Sequence, residues 1–340
     1  MKTEEDIFDQ DAIKAFYKDV LQTLLPNARH MALRFFGAAE TKRASHVDLD
    51  LIVTNEVNKG SAYFYNKPYS FIHYTSVPIL LSIVKEKKIR LYNLDGMDDQ
   101  EEFVVPLKHL NKKNSDYEIG EIKRRIFCLS MCEADLESKE QSLPMWRSYA
   151  QDGNGVGIMF SIDKKFAKDW VHSMLSKVYY DPKHLQRFIK AHELYQKFTS
   201  KYNLHINDFD ELFYRYFACH KNKIYSNEKE VRLIYCEGFS MFDPPNVRVD
   251  ITKKNEKTTY VEFDIEWEWD KKTKDFILSQ KIEPKNVRPI MQIDKIFFGY
   301  RISNKAKYEI ADVIMEYTKN YKHKPEIVNS PLQEYFEFKK

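Results

Sequence analysis

Three short segments of the chain carry residue types that could bind or transform a ligand. They are residues 73–76 (HYTS), residues 146–150 (WRSYA) and residues 227–232 (NEKEVR). In the third segment Glu228 and Glu230 lie two positions apart, and on a strand such residues share one face. Like charges on one face of a strand are mildly unfavourable. This crowding is easier to understand if the hydroxyl groups of a ligand, or a cation, lie between the two carboxylates.

Each segment also has an ordinary structural explanation. His73 alone fits a hydrogen-bonded core histidine at a strand edge, and Tyr149 alone fits a core aromatic residue. Glu230 could be a strand-end carboxylate that pairs with Arg232, because residues two apart on a strand lie on the same side. The order in which the three segments follow one another therefore carries more information than any one of them.

In this order the segments resemble a widespread bacterial family of unknown function, over about residues 72–299. They also resemble the His–Tyr–Glu class of NAD-dependent ADP-ribosyltransferases. In that class a histidine ends one strand, a tyrosine lies on a second element and a glutamate begins a later strand. His73, Tyr149 and Glu230 are the matching residues. The resemblance implies a small split-sheet fold that binds NAD, as a substrate, in the cleft between its two halves.

The resemblance also implies a role for each residue in cleaving the nicotinamide–ribose bond. Glu230 would stabilise an oxocarbenium-like ribosyl cation, as carboxylates do in glycosidases, and Tyr149 would stack on the nicotinamide. Glu228 would orient or deprotonate the acceptor. His73 would bind the adenosine ribose, and the helix start at Ser76 would meet the pyrophosphate. The expected catalytic residues are Glu230, Tyr149, His73 and Glu228. The expected NAD-binding residues are His73, Tyr74, Thr75, Ser76, Trp146, Ser148 and Tyr149.

The sequence thus predicts an ADP-ribosyltransferase. Members of this class with a histidine at the first position often modify nucleic acids and often act as toxins or antiviral effectors. We therefore expect a bacterial effector with an RNA or DNA acceptor and a neutralising antitoxin protein as a partner. Two alternatives stay open. One is a catalytically silent module that senses NAD or nucleic acid, and the other is an NAD glycohydrolase, in which water is the acceptor.

Composition narrows the class of protein further. The chain has 340 residues, of which 43% are hydrophobic and 31% charged, with a net charge of +3. These values exclude global disorder, and a dedicated duplex-binding domain is usually more basic. No apolar run approaches the ~20 residues of a membrane span, and residues 1–10 do not read as a secretory signal. We expect a cytoplasmic protein with no membrane partner.

The remaining motifs are predicted to be structural. The glycines at positions 153, 155 and 157 resemble a phosphate-binding loop only superficially, because no helix follows them, and they predict a tight turn into a strand. The four cysteines are expected to be reduced core thiols, and their spacing predicts no metal site. The arginines that could meet a phosphate or carboxylate are each expected, taken singly, to be solvated: Arg125, Arg147 and Arg232.

The elements that must position these residues alternate too irregularly for a doubly wound parallel sheet. We expect an α+β fold, resembling that of ADP-ribosyltransferases, in which helices flank a split, mainly antiparallel sheet. A strand over residues 70–74, a helix over 77–87 capped by Ser76 and a strand over 89–92 form one unit. Residues 132–154 are predicted to be irregular. Further strands are expected at residues 47–53, 125–131, 155–160, 230–235, 260–270, 276–278 and 295–299, and further helices at 11–24, 184–201, 208–220 and 303–321.

These patterns divide the chain into three parts. An N-terminal extension, residues 1–68, is expected to pack a helix and a strand on the core. The catalytic domain is expected to span residues 69–325, with a helical insertion at about 182–222. Residues 326–340 are expected to form a charged tail. The strand at 260–270 is predicted to have one apolar face and one wholly acidic, solvated face.

Overall fold

A computed structural model of the chain describes residues 10–27, 32–41, 44–52, 55–97, 103–109, 116–134, 139–163, 167, 170, 172–206, 209, 211–236, 247–251, 255–265 and 289–334. The strands are β1 (Ala32–Thr41), β2 (Ala44–Ile52), β3 (Ser70–Thr75), β4 (Lys88–Asn93), β5 (Ile126–Glu133), β6 (Val156–Ile162), β7 (Ser173–Lys177), β8 (Leu204–Ile206), β9 (Glu230–Cys236), β10 (Arg248–Ile251), β11 (Lys257–Asp264), β12 (Met291–Phe298) and β13 (Glu326–Asn329). The helices are α1 (Gln10–Ala15), α2 (Gln22–Leu24), α3 (Val77–Glu86), α4 (Val104–His109), α5 (Asp116–Arg124), α6 (Lys139–Tyr149), α7 (Gln186–Tyr202), α8 (Glu211–Phe217) and α9 (Asn304–Thr318).

The strands form one large and one small sheet. The large sheet has the order β10-β11-β4-β5-β3-β6-β12-β13, with β9 paired to β5 and β7 paired to β9. All of these neighbours are antiparallel except β12 and β13. The small sheet has the order β1-β2-β8. The prediction of an α+β fold, with helices flanking a mainly antiparallel sheet, is confirmed.

The large sheet forks at β5. β9 pairs with residues 126–132 and therefore covers one edge of β5 along almost its whole length. β4 pairs with residues 127–128 and β3 with residues 132–133, so both must use the other edge. Between these two contacts, residues 129–131 have no strand partner on that edge among the described residues. The sheet is therefore open between β3 and β4.

Both faces of the central strands are covered, which explains why β9 is buried at every position. Alternation along a strand sends successive side chains to opposite faces. On β5, Phe127 and Leu129 lie in a core with residues of α3 and α9. Ile126 and Cys128 lie in a second core with residues of α7 and α8. Phe16, on the π-helical turn that joins α1 to α2, belongs to the second core.

The unit β3-α3-β4 has the form that the sequence predicts. Ser76 caps α3, and its Oγ accepts a hydrogen bond from the backbone N–H of Ile79 at 3.4 Å. Pro78 lies in the first turn of the helix, where a missing N–H costs nothing. Lys87 ends the helix in the left-handed conformation, with φ of 54°, and β4 starts at the next residue.

The prediction that residues 132–154 are irregular is wrong, because α6 spans Lys139–Tyr149. Pro144 lies inside this helix and removes a backbone donor, which obscured its pattern in the sequence. Trp146 and Ala150, four residues apart, pack with Leu143 in one apolar cluster. The apolar face of the helix is therefore short, and the amphipathic repeat is correspondingly weak.

Three other regions can be compared with their predicted elements. The segment expected to form a charged tail, residues 326–340, begins with β13, which pairs in parallel with β12, and Leu332 beyond it is buried. In the strand expected at 260–270, β11 ends at Asp264, and residues 266–270 and 276–278 lie outside the described residues. Its acidic face forms ion pairs, between Glu262 and Arg248 and between Asp264 and Lys88. β1, the partner of β2 in the N-terminal hairpin, was not predicted.

Candidate functional site

A cleft of about 350 Å³ lies where the large sheet forks. Its walls are residues 72–74 of β3, residues 130–132 of β5 and residues 96–97 after β4, together with side chains from residues 221–232. This volume lies within the range of small-molecule sites, roughly 300–1,000 Å³. His73, Tyr149 and Glu230 all line it. The structure therefore brings together three residues that the sequence separates widely.

His73 of β3 lies at the opening between β3 and β4 and contacts β5 there. Its Nδ1 lies 3.0 Å from the carbonyl oxygen of Ser130, on the stretch of β5 that has no strand partner there. A carbonyl oxygen only accepts, so Nδ1 carries the proton. Burial lowers the pKa of His73 below its usual value, although the bond to Ser130 opposes this shift. The ring is therefore neutral near pH 7, and its Nε2 is a hydrogen-bond acceptor.

Tyr149 stands at the end of α6 with 46% of the residue exposed, so a ligand in the cleft can contact it. Its hydroxyl donates a hydrogen bond of 2.5 Å to Oε1 of Glu228. Burial raises the pKa of Tyr149, and the neighbouring Glu228 carboxylate raises it further. The phenol is therefore protonated at physiological pH and acts as a donor.

Glu230, the first residue of β9, forms a buried ion pair with Arg232. Arg232 Nε lies 2.7 Å from Oε1 and its Nη2 lies 3.2 Å from Oε2 of the carboxylate. Its Nη1 donates a further bond of 2.6 Å to the carbonyl oxygen of Ala218. The pairing expected for two residues on one strand face is confirmed, and the expectation that Arg232 is solvated is wrong, since it is 1% exposed. Arg125 and Arg147 are exposed.

Glu228 lines the cleft from a different element than the strand predicted from the sequence. It ends a 3₁₀ turn, Lys223–Glu228, and Lys229 after it is left-handed, with φ of 44°. Glu228 is therefore not on the strand, and the shared strand face predicted for Glu228 and Glu230 is wrong. The two carboxylates nevertheless converge, because both bond to the ammonium of Lys221.

Lys221 holds the two carboxylates together and was missed in the sequence. Its Nζ lies 2.8 Å from Oε2 of Glu228 and 3.1 Å from Oε2 of Glu230. The same ammonium lies 4.9 Å from the centre of the Tyr225 ring. Crowding of two acidic residues had indicated a cation or ligand hydroxyls between them. The chain itself supplies that cation, from a position nine residues before Glu230.

The charges in the cleft balance, with two carboxylates against one ammonium and one guanidinium. Burial alone would raise the pKa of Glu230, but Arg232 and Lys221 together lower it to about 2. The carboxylate is thus ionised at any physiological pH.

Burial, with Glu230 and Glu228 nearby, raises the pKa of the Cys132 thiol to about 12, so this thiol is a poor nucleophile. Among the described residues no group of three acidic, His or Cys side chains could hold a metal ion.

The other expected NAD-binding residues lie in different places. Tyr74 lines the cleft. Its ring packs edge-to-face with that of Trp146, with ring centres 5.1 Å apart, and Trp146 is buried. Thr75 is buried and Ser76 caps α3, while Ser148 is exposed on α6. None of Thr75, Ser76, Trp146 and Ser148 is among the residues that line the cleft.

The glycine run after α6 shapes the turn behind the site, as predicted. Gly153 has φ of +84°, in the region that favours glycine. At Gly155 a Cβ would lie only 2.3 Å from the carbonyl oxygen of Thr75. The turn therefore lets β6 pair closely with β3, the strand that presents His73.

Comparison with known proteins covers part of this site. The family described as "Protein of unknown function (DUF2971)" matches residues 145–233. That match includes Tyr149, Lys221, Glu228, Glu230 and Arg232 but not His73, and it fits the widespread family of unknown function that the sequence resembles. No curated protein and no solved structure matches the chain. Among the described residues no helix is both long and apolar enough to cross a membrane.

Proposed function

We propose that this protein is an NAD-dependent ADP-ribosyltransferase whose active site is the cleft at the fork of the sheet. The observation that supports this most is the convergence of His73, Tyr149 and Glu230 on one cleft from β3, α6 and β9. These are the residues that match the His–Tyr–Glu pattern, in its order. The cleft also combines a neutral acceptor, an accessible aromatic ring and an ionised carboxylate.

The proposed reaction needs little acid–base chemistry at the leaving group. The bond between the nicotinamide nitrogen and ribose C1′ breaks, and its electron pair leaves with nicotinamide, which becomes neutral. Positive charge then lies on the ribose, where a carboxylate stabilises it. Glu230 suits this role because its low pKa keeps it charged. No second carboxylic acid has to protonate the leaving group.

The other residues would bind and orient the two reactants. The exposed ring of Tyr149 would stack on nicotinamide, and Nε2 of His73 would accept a hydrogen bond from a ribose hydroxyl. Tyr149 also fixes Glu228 through its hydroxyl. Glu228 would take the proton of the acceptor as the acceptor oxygen or nitrogen bonds to C1′.

The acceptor we propose is a nucleic acid. Lys223 begins the 3₁₀ turn that bears Glu228, and Lys229 follows this turn; both are exposed. Basic side chains at the rim of a site attract phosphate groups. The resemblance to the His–Tyr–Glu class supports a role as a bacterial toxin or antiviral effector, and a neutralising antitoxin would act by covering the same rim.

A specific observation favours a second candidate, a silent module that binds NAD or nucleic acid without reaction. Both oxygens of Glu230 are already engaged, by Arg232 and Lys221. A carboxylate held in this way could serve the architecture of the cleft alone. The two candidates differ in whether nicotinamide is released.

One experiment tests the proposal against its alternatives. NAD labelled in the adenylate half is incubated with the protein and with separate RNA, DNA and protein fractions. We expect label to become covalently attached to a nucleic-acid fraction, with release of one nicotinamide for each ADP-ribose. Release of free ADP-ribose alone would indicate a glycohydrolase. Binding of NAD without release of nicotinamide would indicate the silent module.

A further inference from the structure

Lys221 occupies the place in the cleft where a cationic ligand would meet the carboxylates. Its Nζ bonds to both Glu228 and Glu230, at 2.8 and 3.1 Å. Its side chain is 10% exposed, and those of the two glutamates are 13% and 4% exposed. In the proposed reaction the positive charge of NAD, first on the pyridinium ring and then on the ribose, has to approach these same carboxylates.

Of the two cations that hold Glu230, Lys221 is the one that can move. Arg232 is 1% exposed, binds Glu230 through two nitrogens and is anchored by a third bond to Ala218. Lys221 lies between a single β-bridge at His220 and the 3₁₀ turn, and only its terminal ammonium reaches the carboxylates. An ammonium on a flexible four-carbon stem can rotate away, whereas a planar guanidinium held at three points cannot.

The main chain at this position stays in place when the side chain leaves. The backbone N–H of Lys221 donates to the carbonyl oxygen of Tyr179 at 3.1 Å. His220, the residue that precedes Lys221, is buried. The Nε2 atom of its ring lies 2.8 Å from the hydroxyl oxygen of Tyr63. Displacement of the ammonium therefore requires rotation of one side chain and no rearrangement of the fold.

We propose that Lys221 is an internal competitor for NAD, which sets the affinity of the cleft by holding the carboxylates until the cationic end of NAD displaces its ammonium. This inference rests on the proposed function. When NAD binds, the two charge-assisted hydrogen bonds of Lys221 to Glu228 and Glu230 are lost, and such bonds are stronger than those between neutral groups. The positive charge of the substrate restores part of this stabilisation. Lys221 thereby acts as a positioning residue that disfavours ligands without a cationic group.

The test compares three variants by calorimetric titration with NAD. Lys221→Met removes the competitor, and we expect its dissociation constant for NAD to fall by about ten-fold or more, equivalent to ~1.4 kcal/mol. Lys221→Arg keeps the charge but offers a guanidinium that holds carboxylates more firmly, so we expect it to bind NAD no more tightly than wild type does. Lys177→Met is the matched control. This substitution also removes the positive charge of a lysine that pairs with a carboxylate, because Nζ of Lys177 lies 3.0 Å from Oε1 of Glu133. Lys177, however, does not line the cleft.

The outcomes separate this inference from the proposed function. Equal or weaker binding by a folded Lys221→Met protein, with melting temperature measured in parallel, would overturn the role of Lys221 and leave the transferase proposal intact. Equal tightening by Lys177→Met would show an effect of net charge alone and would also overturn it. Absence of NAD binding by wild type and by every variant would overturn both. Where nicotinamide is released, we expect Lys221→Met to lower KM by the same factor as the dissociation constant.

Discussion

Two clusters on the same sheet each pair a carboxylate with an arginine near a tyrosine, and they differ greatly in burial. In the cleft, Glu230 pairs with Arg232 at 2.7 Å, beside Tyr149 and Lys221. At the far edge of the sheet, Asp250 of β10 pairs with Arg90 at 3.0 Å, and the hydroxyl of Tyr92 donates to it at 2.9 Å. The side chains of the edge pair are about one-third exposed, 34% and 33%, whereas those of the cleft pair are 4% and 1% exposed.

This difference decides what each cluster can do. An exposed ion pair contributes at most about 1 kcal/mol, because water screens it and its side chains lose entropy. A buried charge left without its partner costs about 3–5 kcal/mol. Water is also what would quench a ribosyl cation. The buried cluster is therefore the one suited to chemistry, although the residue types alone do not show in the sequence which cluster is buried.

The largest expected effect is on folding. Glu230→Gln leaves the Arg232 guanidinium buried without a counter-charge, so the free energy of unfolding should fall by about 3–5 kcal/mol. Denaturant titration measures this. Replacing both members of the pair by Met should recover most of the loss, because no charge is then left unpaired. If the single and double variants are equally unstable, the ion pair is not the cause.

The contribution of the pair Glu230–Arg232 to the free energy of unfolding should depend on pH. The pKa of Glu230 is about 2 in the folded protein, below its ordinary value near 4.5. A lowered pKa stabilises the folded state above the unfolded pKa, and this contribution is lost as pH falls from about 4.5 to about 2. Subtracting the Glu230→Gln unfolding curve from that of wild type should reveal a loss confined to this range. A difference that is constant with pH would contradict the account.

Two variants of Tyr149 should distinguish the contribution of its ring to NAD binding from that of its hydroxyl. Tyr149→Ala removes the stacking surface, and stacking of a base on an aromatic ring contributes about 1–3 kcal/mol. The dissociation constant for NAD should therefore rise by about ten-fold or more, as measured by calorimetry. Tyr149→Phe keeps the ring and should bind NAD nearly as wild type does. Equal losses in both variants would mean that the hydroxyl, through Glu228, carries the binding.

The smallest effect is expected at the edge cluster. Asp250→Asn should lower the free energy of unfolding by less than about 1 kcal/mol and leave NAD binding unchanged, since Asp250 is partly exposed and lies outside the cleft lining. Thermal unfolding and calorimetry measure the two quantities. A loss as large as that of Glu230→Gln would remove the contrast between the clusters.

Local signals in the sequence predicted the parts of the site that depend on neighbouring residues. Ser76 followed by Val77-Pro78 predicted the start of α3, and two-residue spacing predicted the pair Glu230–Arg232. The helix that presents Tyr149 was missed because Pro144 interrupts its pattern. Strand alternation also misplaced Glu228, because Lys229 adopts a left-handed conformation that no residue type at that position signals.

Contacts that depend on the assembled fold could not be predicted. Lys221 meets Glu228 and Glu230 only because the 3₁₀ turn folds the chain back on itself. The sheet is open because β3 and β4 pair with opposite ends of one edge of β5. These pairings join segments that are far apart in the sequence. Burial of Arg232 likewise follows from α8 and the strands around β9, not from its own neighbours in sequence.

Release of nicotinamide from NAD tests the central claim most directly. Wild type, Glu230→Gln and Asp250→Asn are compared at a temperature where circular dichroism shows all three to be folded. We expect wild type and Asp250→Asn to release nicotinamide at the same rate, and Glu230→Gln to be slower by about 100–1,000-fold, the usual loss when one stabilising electrostatic contact is removed. A folded Glu230→Gln protein that keeps the wild-type rate, or a wild-type protein that binds NAD and releases no nicotinamide, would contradict the account.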